Sequence, residues 1–152
     1  MYDIKTRNSV LSLFGGIEVD KFPDGNFEFE MNSYDGDKIF KQDFPKTKFV
    51  CNLFNKVEKH IRSNDNYITR VVFKYTVIQQ VEIANLKLLV NKLVEILGKD
   101  EARSGEFTEE DAKQFKNGYW MGRSWLNIAK NGVVLIIYRN NDFFELRLVF
   151  FQ

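Results

Sequence analysis

The sequence predicts a single α+β domain over residues 1–152, with largely antiparallel strands around a helical middle. Three observations predict it. Near the start, Phe27, Phe29 and Met31 alternate with Glu28, Glu30 and Asn32, the period of a half-buried strand. In the middle, apolar residues recur at i, i+3, i+4 and i+7, the period of amphipathic helices. Near the end, Asn131-Gly132 separates two runs of β-branched and aromatic residues, the strongest hairpin signal in the chain. The expected order is βββ-α-β-α-α-βββ, with helices packed on one face. One seven-stranded sheet and two smaller ones are both compatible with that order.

The elements follow in turn. Ser9 to Phe14 reads as a short helix or strand closed by Gly15-Gly16. From Ile17 to Phe44 a three-stranded meander is expected, its reversals at Pro23-Asp24-Gly25-Asn26 and Tyr34-Asp35-Gly36-Asp37, where glycine accepts the positive φ of a tight turn. Val50, Leu53, Phe54, Val57 and Ile61 predict a helix from Thr47 to Arg62, with Thr47 as N-cap. Tyr67 to Val77 is rich in strand formers, with Val71, Phe73, Tyr75 and Val77 set against Arg70, Lys74 and Thr76.

A second helix over Glu82 to Leu97 carries the stripe Leu86, Leu89, Val90, Leu93, Ile96 and Leu97, with Gly98 to end it. Lys99 to Phe107 is a loop. Thr108-Glu109-Glu110-Asp111 then opens a short third helix that stops at Gly118. Three strands close the chain: Tyr119 to Ala129, Val133 to Arg139 and Phe143 to Phe151. Val133 to Ile137 is apolar at every position and reads as a central strand covered on both sides.

Composition narrows the function classes. Charged residues make up 28% of the chain and the net charge is +1, the profile of a folded domain rather than a disordered one. The 15 Phe, 6 Tyr and 2 Trp supply a large core, since each ring buries about 150–250 Å². No run reaches the roughly 18 apolar residues of a membrane span, and the apolar stretch Val10 to Ile17 is too diluted for a secretory signal. With one cysteine and one histidine, no internal disulfide or zinc spacing exists, so a cytosolic chain without metal or cofactor is expected.

Candidate chemistry is sparse. No phosphate-binding glycine pattern and no nucleophile elbow occur. Cys51 and His60 stand nine residues apart on the expected first helix, about 13.5 Å along its axis, too far for a nucleophilic pair. Asp100, Glu101, Glu106, Glu109, Glu110 and Asp111 form an acidic stretch without the spacing of a calcium loop. In an extended Tyr119 to Trp125, Trp120, Gly122 and Ser124 face one way, while Tyr119, Met121, Arg123 and Trp125 face the other. Arg, Trp and Tyr are the residue types that dominate interface hot spots.

Charge is uneven along the chain. Glu18 to Asp37 holds seven acids against Lys21, and Asp100 to Asp111 six against Arg103. Lys46 to Lys74 holds seven bases against Glu58 and Asp65, a weak footprint for nucleic acid at a pI near 7.8. Small size, acidic arcs and missing cofactor motifs are similar in general character to small bacterial inhibitor and immunity proteins, although no stretch carries a family motif.

The sequence therefore leads to a non-catalytic protein-binding domain. Its candidate residues are Tyr119, Arg123 and Trp125, with Glu106, Glu109 and Glu110 as a second patch. The alternative is a small-ligand domain whose aromatic-lined pocket lies between sheet and helices beside Gly122, with Trp120, Phe144 or Tyr138 as walls, and third a small hydrolase using surface carboxylates. Homodimerisation through an open C-terminal strand, Phe143 to Phe151, is also expected to be accessible.

Overall fold

The computed structural model describes residues 23, 25–43, 52–126 and 133–150. These form one mixed α+β unit with a seven-stranded antiparallel sheet. Its strands are β1 (Glu28–Asn32), β2 (Lys38–Asp43), β3 (Lys56–Ile61), β4 (Ile68–Lys74), β5 (Trp120–Trp125), β6 (Val133–Arg139) and β7 (Phe144–Phe150). Two helices, α1 (Ile83–Leu97) and α2 (Glu109–Lys116), join β4 to β5, preceded by a short 3-10 turn at Ile78–Gln80. The sheet order is β1-β2-β3-β4-β7-β6-β5.

The order among the described residues is thus four strands, two helices, three strands, which corrects the expected one. Lys56–Ile61 is a strand, not the end of a helix. Val57 and Ile61 are four residues apart, a spacing that lies on one face of either element. Between them Lys59 takes the same face, and Glu58 and His60 take the other, so the segment pairs with β2 and β4. The first expected strand near Ile17, the element Ser9 to Phe14, Thr47, Cys51 and the Asn131-Gly132 turn lie outside the described residues.

Other expectations survive closely. α1 ends where Gly98 takes φ 78°, a left-handed conformation that glycine adopts at low cost. Leu86, Leu89, Val90, Leu93 and Leu97 are its buried stripe. α2 opens on a full capping box: Thr108 accepts from the Asp111 N–H, and the Asp111 side chain accepts from the Thr108 N–H.

The buried apolar residues of both helices share one cluster with Val57, Val71, Phe73, Leu135, Ile137, Phe144, Leu146 and Leu148. Strand alternation places these on one face of the sheet. Phe54, Phe73 and Phe144 are buried as expected, whereas Phe29 is exposed on an outer strand. β6 is flanked by β5 and β7, but Val134 and Ile136 remain only half-buried on its second face. β7 lies between β4 and β6 and is paired with both along its length. The open edge that strand was expected to offer a second copy is therefore closed. Among the described residues the outer strands are β1 and β5.

Candidate functional site

Arg123 was expected on a surface face and is instead buried, together with Trp120 and Trp125. The cause is a bulge. Trp120 pairs with Arg139 and Arg123 with Ile137, so Met121 and Gly122 together oppose Tyr138 alone. The extra residue slips the alternation by one, which carries Trp120, Arg123 and Trp125 to the same side. Gly122 makes the slip possible at φ 74°, where a Cβ would stand 1.6 Å from the Ile137 carbonyl oxygen. Backbone fills the space beside Gly122 that the sequence left open as a recess.

The buried guanidinium is fully engaged. Arg123 Nη2 donates to Asp111 Oδ2 at 2.7 Å and Nη1 to Asp111 Oδ1 at 3.0 Å, a two-pronged fork. Its remaining donors reach three carbonyls: Nε to Gly105 at 2.8 Å, Nη1 to Gly122 at 2.9 Å and Nη2 to Glu106 at 3.2 Å. An arginine has five N–H donors, and all five are occupied. Asp111 also accepts from Trp120 Nε1 at 2.9 Å and from the Thr108 N–H and hydroxyl at 2.8 and 2.9 Å. Burial alone would raise the Asp111 carboxyl, but these donors hold it at about 2. Trp125 Nε1 donates to the Gly98 carbonyl at 3.0 Å, which ties β5 to the end of α1.

The knot orders the loop between the helices. Phe107 N–H donates to Asn91 Oδ1 on α1, Gly105 N–H to Asp100 Oδ1, and Glu101 N–H to the Ser124 carbonyl, each at 2.9 Å. Glu106, Glu109 and Glu110 project from this fixed segment as exposed side chains, with Glu101 beside them in sequence. Among the described residues none of these four makes an ion pair, while Asp111 is spent on Arg123. Tyr119 is 61% exposed and Met121 77%, on either side of buried Trp120. Of the expected site residues, then, Tyr119 and the three glutamates face outward; Arg123 and Trp125 do not.

A second polar cluster has no contiguous signature in the sequence. On the sheet face opposite the apolar cluster, Glu58 meets Lys74 at 3.1 Å, Lys56 at 3.2 Å and His60 Nε2 at 3.2 Å. Lys56 also reaches Glu30 at 2.8 Å. Lys74 lies 3.6 Å from Glu145, which accepts from Arg147 Nε at 2.6 Å and from the Tyr138 hydroxyl at 3.0 Å. Three carboxylates and three cations thus alternate from β1 across β3 and β4 to β7. Burial would raise the Glu58 carboxyl, but the His60 hydrogen bond and the two lysines draw it down to about 2. Burial and the Glu145 charge push the Tyr138 phenol up. The signal was the i, i+2 spacing of Lys56, Glu58 and His60 and of Glu145 and Arg147, legible only once both segments are read as strands.

This network is charge-balanced and holds its partners within the sheet, so it offers little free charge to a substrate. The candidate pocket walls are divided between the two faces of the sheet. Trp120 and Phe144 both pack on Phe115, at ring separations of 6.0 and 5.0 Å, while Tyr138 lies on the other face with Glu145. Among the described residues no three His, Cys, Asp or Glu side chains gather to hold a metal ion, and no helix is long and apolar enough to cross a membrane. Compared with family models, with curated proteins and with solved structures, the chain matches none.

Proposed function

We propose that the chain is a non-catalytic, cytosolic protein-binding domain of the inhibitor, immunity or scaffold kind, with both helices packed on one face of its sheet. Its partner surface is Glu106, Glu109 and Glu110 at the start of α2, together with Tyr119. The observation that carries this reading is the Arg123–Asp111 knot. It fixes the backbone of the loop through the Gly105 and Glu106 carbonyls while leaving the neighbouring glutamates exposed and, among the described residues, without ion pairs. A pre-ordered loop loses little conformational entropy on binding, and carboxylates of one sign steer a basic surface toward it.

The test is retention of a partner from lysate of the native cell by the immobilised chain. Substituting Glu106→Lys, Glu109→Lys and Glu110→Lys together is expected to release that partner while circular dichroism stays unchanged. If no protein is retained, or if the triple substitution retains the same protein equally well, the reading fails.

A further inference from the structure

We infer that the β1 edge, with Tyr34 at its tip, is a second docking surface, for a protein that offers an apolar cleft rimmed by lysine or arginine. The inference rests on the reading of the chain as a protein-binding domain and adds a separate place where such a partner is held.

Among the described residues β1 is paired on one side, with β2. Phe29 and Met31 are each 54% exposed and Tyr34 is fully so, which puts three large exposed side chains within six residues. A bulge between Phe29 and Met31 sends them to opposite flanks of the edge, Phe29 beside Phe40 and Met31 across from Ile39. An edge apolar on both flanks suits a cleft that grips it better than a flat surface laid against one face.

Tyr34 projects from a turn that is braced without it. Ser33 N–H donates to the Asp37 carbonyl at 2.7 Å and Asp37 N–H to Ser33 Oγ at 3.0 Å. Ser63 Oγ donates to the Gly36 carbonyl at 2.7 Å, and Thr69 Oγ1 to Asp37 Oδ2 at 2.8 Å, which anchors the turn to the β3–β4 connection and to β4. The ring is thus presented by a fixed backbone, the condition under which an aromatic anchor binds at low entropic cost.

Charge selects the occupant. Glu28 and Asp35 flank the apolar residues with largely exposed carboxylates, paired at 3.5 Å with Lys41 and at 3.4 Å with Arg70, and Asp35 also accepts from the Ser33 hydroxyl within the turn. The outer sides of both carboxylates stay open to solvent, at 71% and 53% exposure, and a partner with cations around its cleft meets them there. A second copy would bring the same acids against them, and the bulge interrupts the edge it would have to pair with.

The test uses a photo-crosslinking amino acid, p-benzoylphenylalanine, placed in the full chain in the native cell at position 34, 29, 88 or 119. Position 88 is the control, an exposed leucine on α1. A discrete protein adduct from positions 34 and 29 and none from 88 is expected. Asp35→Lys is expected to reduce it several-fold, and so is Glu28→Lys, which leaves the turn hydrogen bonds intact. The inference is overturned by no adduct at 34, by an equal adduct at 88, by an adduct the size of two copies, by a nuclease-sensitive adduct, or by a link to residues 1–22 of the same chain. An adduct at 119 without one at 34 sinks this inference alone; silence at both sinks the proposed function with it.

Discussion

Arg123 on β5 and Asp111 in the first turn of α2 face each other through two hydrogen bonds, of 2.7 and 3.0 Å. The pair is the point where strand, helix and loop are joined. The capping box belongs to it as well, because the oxygen that takes the Thr108 N–H also takes Arg123 Nη2. Local helix chemistry and tertiary packing thus use one carboxylate.

Removing the cation should therefore be costly. Arg123→Met leaves Asp111 as a buried charge without its cation and removes a donor from each of three carbonyls, and is expected to lower stability by about 3–5 kcal/mol in urea unfolding at neutral pH. Arg123→Lys retains charge but has three donors on one nitrogen, so it is expected to recover only part of that loss. Combining Arg123→Met with Asp111→Leu should cost less than the two single changes added together. Additive costs would mean that the pair is not coupled.

Gly122 and Gly36 separate two effects that are often confused. Both have positive φ, at 74° and 89°, but among the described residues nothing lies within 4 Å of a Cβ on Gly36, whereas one on Gly122 would meet the Ile137 backbone. Gly36→Ala should cost about 1–2 kcal/mol, the left-handed backbone penalty alone. Gly122→Ala adds a clash between two strands and should cost clearly more, with the midpoint of thermal unfolding as the measure. Equal shifts for the two variants would refute the close approach at the bulge.

Both tryptophans are about 1% exposed, although the sequence left Trp125 as a candidate for partner contact. Acrylamide should therefore quench the native fluorescence weakly and the urea-unfolded chain strongly. Trp125→Phe removes the bond to the Gly98 carbonyl and is expected to cost about 1 kcal/mol in urea unfolding. Strong native quenching would place at least one indole at the surface.

The sequence was most legible where a single period governs a segment. α1 was read to within one residue because Leu86, Leu89, Val90 and Leu93 fit a helical face and no strand face. The Thr108 cap was legible because its chemistry is local. Lys56–Ile61 was misread because a spacing of four satisfies both periods, and its partners, Lys74 and Glu30, lie far away in sequence. β5 was misread for a subtler reason. Its alternation is correct on either side of Gly122, but a bulge is a one-residue event that leaves no periodic trace. That slip moved Arg123 and Trp125 from the candidate surface into the core while leaving Tyr119 outside.

Two buried, strongly depressed carboxyls make stability fall in acid within a definite window. Glu58 and Asp111 sit at about 2 in the folded chain, against ordinary values of 4.5 and 3.8. The folded state therefore binds fewer protons than the unfolded chain through this range, so stability drops as pH falls. The contribution is fully present above about pH 5, declines between about 4.5 and 2, and is gone below that. The urea midpoint should be nearly flat from about pH 7 to 5 and then descend steeply. Asp111→Asn and Glu58→Gln should each lower the neutral-pH midpoint and flatten the descent, because each removes one of the groups that titrates. The distinction between the clusters is also measurable. The lysines that hold Glu58 are 15% and 24% exposed, whereas Arg123 is 3% exposed, so moderate salt should weaken the Glu58 contribution more. Asp111 is held by a buried fork and by N–H and O–H donors, so its share should persist. A midpoint that stays flat to pH 3 would show that neither carboxyl is held by its neighbours in the way these contacts require.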